Sequence, residues 1–496
     1  MDTKLKKQSF SWVWITVTLI FCVLFTLALI PGASAQANSI QPQGQSQRQN
    51  YISLIQTVFN FIIQNYVDDV DPQVIYEGAM NGMFNALDDP HSSYLTESDM
   101  VDMSDTTQGN FGGVGLNITK AVSPRPDGKP MWVEVASPIE DTPGWRAGIQ
   151  PGDFITEING IPTETITMDE VLGILRGTPG ESVNLVIRRG ERLEFPVTIV
   201  RAIIEVPTVK HAMIGDTGYL KLLTFTPMTA ERARDAINEF RAHNYKSLVL
   251  DLRNNYGGLL SSAIDVSNLF LDSGLIVSIR SRVAYENRAY NANRSTLVSA
   301  DIPVIVLINR GSASASEIVA GALKDRGRAF LVGENTFGKG SVQQVYPLNN
   351  AGFKITIARY YTPSNVNIDV IGIPPDREIL FPTYTEEEAV RLNQLINANR
   401  IPAFVEQNPR ANSTQIETFA RTLEREYTLD LSLLKRLIRD ELNRTTIAPV
   451  YDLEYDIQLL EAVNIFRNGS YNNLLQNAKT LKQLQEEAES RAAQAS

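Results

Sequence analysis

Residues 309–344 read NRGSASASEIVAGALKDRGRAFLVGENTFGKGSVQQ, and this stretch decides the fold of the chain around it. Ahead of it, Pro303–Ile308 (PVIVLI) is a short apolar run with the length of a buried strand. The tight Asn-Arg-Gly-Ser turn follows, then a helical pattern from Ala315 to Lys324 with Ser314 at its mouth. A second apolar run, Ala329–Val332, leads into a glycine-punctuated loop that carries Lys339. Strand, turn and helix with a serine at the turn expose a hydroxyl beside the free amides of a helix N-terminus, which suit an oxyanion.

Two other readings of the same residues stand beside this one. Ser314 and Glu317 fit S-x-x-E, a capping box, so Ser314 taken alone is equally a helix cap. Gly333 to Lys339 fits G-x-x-x-x-G-K, and Leu248–Asp251 resembles the acidic strand end of a magnesium site. Gly340, however, stands where a phosphate loop needs Ser or Thr, and SVQQVY after it is β-prone. Nucleotide binding is therefore disfavoured.

A serine nucleophile needs a base. The chain has three histidines, His91, His211 and His243, none of them near this stretch, and G-x-S-x-G is absent. Lysine is the remaining candidate. At the reference pKa of about 10.4 only roughly one lysine in 2,500 is neutral at pH 7. Burial lowers that value enough for a lysine to act as a base. Lys339 lies between glycines, with Phe337 as the expected wall of its pocket.

GSASASEI followed by GENTFGKGSVQQ resembles the carboxyl-terminal processing peptidases, or tail-specific proteases. The resemblance implies that Ser314 is the nucleophile, Lys339, 25 residues later, the general base, and Gln343 the residue that orients the lysine. It continues in DLRNNYGG (Asp251–Gly258), where a glycine amide of such peptidases forms half of the oxyanion hole. Gly257 or Gly258 is the candidate, with Ala315 as the other half. Tyr256 stands where the family usually has proline. GAMNGMFNALDDPHSSYL extends the likeness to the N-terminal side, with an added Asp before Pro90, and His91 is read as structural. Arg359–Pro363 and Gly372–Asp376 complete it, over roughly residues 50–376.

The chain begins with Lys4, Lys6 and Lys7, then a nearly uninterrupted apolar run from Trp12 to Ile30, then Ala33-x-Ala35. This is the pattern of an export signal, residues 1–35, and the expected location is the periplasm or cell envelope. The apolar run approaches the length that spans a bilayer, so an uncleaved inner-membrane anchor is the alternative. Cys22 is the only cysteine, which excludes disulfides and thiolate metal sites from a cleaved chain. With few histidines as well, no metal and no cofactor is expected. The net charge is −11, and removing residues 1–35 makes the balance more acidic, a poor match to nucleic acid.

The expected organisation is multidomain α/β. Residues 36–50 read as a disordered tether. Residues 51–110 read as a helical region, with helices from Tyr51 and over Val74–Leu87; in relatives such a region can mediate dimerisation, which implies a homo-oligomer. Residues 111–203 form a module of short strands, glycine turns and one helix, Thr167–Leu175. AGIQPGDFITEING closely resembles a PDZ domain, a small partly open β-barrel. Such a domain adds a peptide C-terminus as a strand, and the amides of Gly112, Gly113, Val114, Gly115 and Leu116 are the expected carboxylate donors. Arg176, at the end of the helix, is read either as a C-cap or as a link between tail binding and the active site. Residues 204–376 alternate strands and helices and read as a largely parallel sheet with crossovers; the resemblance implies a crotonase- or Clp-protease-like core. Residues 377–496 read as a helical appendage, ending in one helix over Leu474–Ala493.

The expected function is an exported serine endopeptidase that binds protein C-terminal tails and cuts near them. Its expected partners are substrates with accessible C-termini, and an activating adaptor is left open. A catalytically degenerate PDZ scaffold is the alternative, against which intact Ser314, Lys339 and Gln343 argue.

Overall fold

The structure, a computed structural model, describes residues 43–120, 130–139, 141–190, 192–293, 296–381, 385–445 and 449–495. The expected export signal lies outside them. No described helix is long and apolar enough to cross a membrane. Among the described residues, those up to Met83 form one compact unit and those from Phe84 another.

In the first unit, helix α1 spans Gln43–Asn65, and α2, Pro72–Asn85, begins there. The tether expected over 36–50 is thus helical from Gln43. Gln and Arg are good helix formers, and this segment simply extends the apolar helix behind it. Tyr51, Ile52, Leu54, Ile55, Val58 and Phe61 of α1 are exposed.

The second unit opens with β1 (Ser93–Leu95) and α3 (Glu97–Gln108). The latter is a polar helix that periodicity does not reveal. Thr96 caps it, accepting from the Asp99 N–H while Asp99 accepts from the Thr96 N–H. Next comes an antiparallel module of β2 (Asn110–Gly113), β3 (Leu116–Lys120), β4 (Val133–Pro138), the short α4 (Pro143–Arg146), β5 (Phe154–Ile158), β6 (Ile161–Pro162), α5 (Met168–Leu175), β7 (Ser182–Arg189), β8 (Leu193–Val200) and β9 (Ala202–Glu205). Its sheet runs β3-β4-β5-β7-β8, so β3 is an edge, while β2 pairs with β9. Val133, Val135, Ile155, Ile158, Val171 and Leu185 fill a core of its own.

A mainly parallel sheet is built from β10 (Val209–Ile214), β11 (Thr217–Leu222), β12 (Ser247–Asp251), β15 (Val304–Ile308), β16 (Phe330–Gly333) and β19 (Arg377–Glu378), in that order; β10 is antiparallel and the rest parallel. Helices α6 (Thr229–Ala242) and α8 (Ala315–Asp325) are crossovers, and α7 (Leu260–Asn268) follows β12. Parallel strands are covered on both faces and read as continuous apolar runs. Leu248, Leu250, Val304 and Val306 face α6, α7 and α8. Val249, Ile305 and Leu307 face the opposite way. A second, antiparallel sheet joins β1, β13 (Leu275–Ser281), β14 (Arg288–Asn291), β17 (Ser341–Leu348) and β18 (Ala351–Tyr361).

The C-terminal region is not one appendage. Helices α9 (Glu386–Asn397), α10 (Arg400–Gln407), α11 (Ser413–Tyr427) and α12 (Leu431–Thr445) share their own core of Leu395, Val405, Ile416, Leu423, Leu434 and Ile438. Helices α13 (Ile457–Arg467) and α14 (Tyr471–Gln476) instead pack Leu459, Ala462, Val463 and Tyr471 onto the second face of the mainly parallel sheet. Burying each large apolar side chain there contributes about 1.5–3 kcal/mol relative to exposure. The helix expected over Leu474–Ala493 is interrupted, and α15 (Leu481–Ala495) starts afresh. The reason is local: Thr480 accepts from the Gln483 N–H, and the Gln483 side chain accepts from the Thr480 N–H.

Candidate active site

Two loops leave the carboxyl ends of the neighbouring parallel strands β12 and β15, the usual place for a site in such a sheet. β12 ends at Asp251, which is fully buried. Burial works to raise its carboxyl pKa, but Arg253 beside it prevails and holds it below the ordinary value. The loop that follows is tied to the turn after β15. Ala313 N–H donates to the Asn255 carbonyl at 3.0 Å. The Ser316 hydroxyl donates to the same carbonyl at 2.8 Å, and the Ser312 hydroxyl to the Leu252 carbonyl at 2.8 Å. Gly257, at φ 104°, sits against this turn. A Cβ on it would lie 2.8 Å from the Ala313 oxygen and 2.9 Å from Ser314 Cβ. Only glycine lets the two loops approach this closely.

Ser314 caps α8, but not in the extended conformation usual for a cap: its φ is 55° and ψ −111°. Such a backbone costs an L residue on the order of 1–3 kcal/mol and persists only where its surroundings hold it. Glu317 is what holds it. This carboxylate is fully buried. Its Oε2 accepts from Ser314 N–H at 2.8 Å and Lys339 N–H at 2.9 Å; its Oε1 accepts from Gly338 N–H at 2.7 Å and the Thr336 hydroxyl at 2.6 Å. Burial raises its pKa, and these donors oppose the rise. One side chain thus joins the serine turn to the lysine loop.

Lys339 is partly buried, and burial is the main cause of an ammonium pKa below the ordinary value. The Lys354 cation lowers it further, while Glu317 and Asp89 act in the opposite direction. Phe337, expected to wall the pocket, is 58% exposed and turned away. The loop is instead pinned from behind: Val370 N–H donates to the Gly338 carbonyl at 2.7 Å, and Gly340 N–H to Asp369 Oδ1 at 2.9 Å. His91 lies in the same electrostatic neighbourhood; burial first, then the Lys339 cation, lower its pKa.

The three expected catalytic residues converge on one region without closing a relay. Among the described residues, no hydrogen bond joins the Lys339 ammonium to the Ser314 hydroxyl. The Gln343 amide donates to the Ser341 hydroxyl at 2.9 Å and the Thr356 hydroxyl at 3.2 Å, not to the lysine. Gln343 lies opposite Thr356 in the β17–β18 ladder, and this cross-strand neighbour takes its amide.

Of the two candidate oxyanion glycines, Gly257 has its N–H engaged with Asn255 Oδ1 at 2.9 Å. The N–H groups of Gly258 and Ala315 donate to nothing among the described residues. The pair left available is therefore Gly258 and Ala315.

In the antiparallel module, Gly112 and Gly113 belong to β2 and pair with β9. Val114 and Gly115 are buried, and their N–H groups have no acceptor among the described residues. Leu116 begins the edge strand β3. The Gly112 carbonyl accepts from Gly177 N–H at 3.1 Å. The Arg176 guanidinium lies over the Phe111 ring, 5.3 Å from its centroid. Arg176 is therefore both the C-cap residue of α5 and a contact to Phe111, the residue just before the candidate carboxylate loop.

Sequence reasoning missed two parts of this site. Glu317 was legible only as a capping partner, although S-x-x-E places it where it is found. Arg253 binds Asp251 and also Asp456, a pairing across 203 residues that no local pattern reveals.

Residues 216–379 match the profile of peptidase family S41, residues 134–189 that of a PDZ domain, and residues 24–99 that of the activating protease CtpB N-terminal domain. The carboxy-terminal-processing protease of Bartonella bacilliformis is 40% identical over 362 residues, covering 71% of this chain and 81% of that one. The chloroplastic carboxyl-terminal-processing peptidase 2 of Arabidopsis thaliana is 37% identical over 321 residues, 63% of this chain and 62% of that one. A solved structure of the photosystem II D1 C-terminal processing protease is 30% identical and covers 67% of this chain and 94% of its own, with a TM-score of 0.40. With a PDZ domain ahead of an S41 core and 40% identity along most of a named relative, this chain belongs to the carboxy-terminal-processing proteases.

Proposed function

We propose that this protease works as an exported serine endopeptidase, in which the PDZ domain takes hold of a protein's C-terminal tail and a Ser314–Lys339 pair cuts nearby. The observation that carries the reading is the strained turn of Ser314, coupled by Glu317 to the lysine loop. Neutral Lys339 takes the proton of Ser314 Oγ as Oγ bonds to the scissile carbonyl carbon. The carbonyl oxygen gains the charge and is met by the N–H groups of Gly258 and Ala315. The Lys339 ammonium then protonates the departing amine, and water releases the acyl group by the same steps with Lys339 again the base. The lowered pKa of Lys339 supports a base of this kind.

The geometry described above is a resting one, with Gln343 engaged by β18 and the lysine not yet bonded to the serine. We read the PDZ domain as the part that moves this balance, since a tail seated beside β3 with its carboxylate on Val114 and Gly115 bears on Arg176 and Gly177. Location in the cell envelope, self-association through the N-terminal helices and an activating adaptor belong to the same proposal.

Mapping cleavage sites by mass spectrometry on an unfolded substrate tests it. Wild type should cut near free C-termini, and Ser314→Ala and Lys339→Ala should not. The double variant should be no slower than either single one. Robust proteolysis by Ser314→Ala would sink the assignment.

A further inference from the structure

Tyr360, near the end of β18, is 2% exposed, and its hydroxyl is buried with no hydrogen-bond partner among the described residues. A buried phenol left unpaired is costly, so each such group in a well-packed core calls for an explanation. Its backbone is fixed on both sides. Tyr360 N–H donates to the Gly340 carbonyl at 3.0 Å, and the Tyr360 carbonyl accepts from the Asn367 amide at 3.0 Å. The first of these bonds locks Tyr360 in register with the residue that follows Lys339. The ring packs in the core cluster that contains Ala315, Ile318 and Val319, the start of the helix that Ser314 caps. The side-chain hydroxyl it approaches is that of Ser314, and the charges near it are those of Glu317 and Asp369.

We propose that the Tyr360 hydroxyl donates a hydrogen bond to Ser314 Oγ and so directs the serine's own proton toward Lys339. The inference rests on the Ser314–Lys339 reading and adds a residue to it. A serine hydroxyl has one proton. If Ser314 donated to the phenol, its proton would point away from the base; with the phenol as donor, the proton is free to face the lysine. The direction is set by supply: the phenol finds no other acceptor among the described residues. Burial and the neighbouring carboxylates keep the phenol neutral, so it remains a donor throughout the working range of pH. As Oγ bonds to the carbonyl carbon, its proton passes to Lys339 Nζ and the carbonyl electron pair becomes the oxyanion. The phenol keeps its proton and steadies the charge that builds on Oγ before the bond is complete.

Tyr360→Phe removes this hydroxyl and little else. The expected result is a kcat lower by roughly 10²-fold, the scale of a misdirected reacting group, with KM unchanged. Labelling of Ser314 by a fluorophosphonate should slow by a similar factor. The unfolding midpoint should change little, because the ring and the backbone bonds of Tyr360 are kept. 3-Fluorotyrosine at the same position keeps the donor and should restore most of the rate. Wild-type kcat in Tyr360→Phe overturns the inference. A fluorotyrosine protein as slow as the Phe variant also overturns it, since the loss would then come from packing. If Ser314→Ala itself still cleaves and the wild type resists the probe, the Ser314–Lys339 reading fails, whatever Tyr360 does.

Discussion

Arg253 and Asp456, 203 residues apart in sequence, meet in a two-bond ion pair, Nη1 to Oδ1 at 2.7 Å and Nη2 to Oδ2 at 2.6 Å. The same guanidinium holds Asp251 at the end of β12, and Asp456 caps α13. The cation is therefore shared between two carboxylates at the root of the loop that carries Gly257 and Gly258. Asp456→Asn keeps the shape and removes one charge, while Asp251 still neutralises Arg253. Its cost should be that of a hydrogen bond to a charged group, about 1.5–3 kcal/mol. Urea unfolding should show this loss, and kcat should fall more than KM rises, because the oxyanion loop loosens. Unchanged stability would show that the C-terminal helices are not braced here.

Glu317→Gln is close to isosteric yet should be severe. An amide offers one acceptor oxygen where the carboxylate offers two, and its NH2 would face two donors. At least one pair among Ser314, Lys339, Gly338 and Thr336 loses its partner, at about 1–3 kcal/mol for each donor left unsatisfied. Thermal unfolding should move down and cleavage should be nearly abolished. A fully active Gln variant would show that Glu317 is only a helix cap.

Cleavage should rise with pH as Lys339 loses its proton, with a midpoint below the ordinary lysine value of 10.5. Lys354 helps to depress that value, so Lys354→Ala should move the rising limb to higher pH. Asp89 acts the other way, and Asp89→Asn should move it lower. Lys339→Arg should be inactive, since guanidinium stays protonated. A limb that ignores both neighbours would argue that another group titrates.

A peptide with a free apolar C-terminus should stimulate cleavage of a second substrate, and its amidated form should not. Arg176→Ala should lose this stimulation while Ser314 still reacts with a fluorophosphonate. The expectation follows from a ligand that must bind one state better than the other to shift the balance. Equal basal and stimulated rates in wild type would reduce the PDZ domain to a tether.

The fold was largely legible where the signal is local. LVLD and PVIVLI announce buried parallel strands because both of their faces are apolar, and they are found as β12 and β15. Ser314 and Lys339 were legible because a strand, a turn and a glycine loop set their positions within a short span. What escaped depends on distant partners. Helical spacing in Leu453–Val463 identifies a helix but not the sheet it covers. Gln343 was expected to orient the lysine, yet its amide donates to the hydroxyls of Ser341 and of its cross-strand neighbour Thr356. Phe337 was assigned to a pocket on adjacency alone, and it is exposed.

Among the described residues, one face of the sheet that carries Val249, Ile305, Leu307 and Val332 is covered mainly by side chains from residues 451–478. A chain is made from its N-terminus, so these strands wait bare through the whole of α9–α12. That bundle has its own core and is free to fold in the interval. Ser314 and Lys339 are both made long before the helices that cover this face of their sheet. A growing chain therefore carries its blade unset until its last helices arrive.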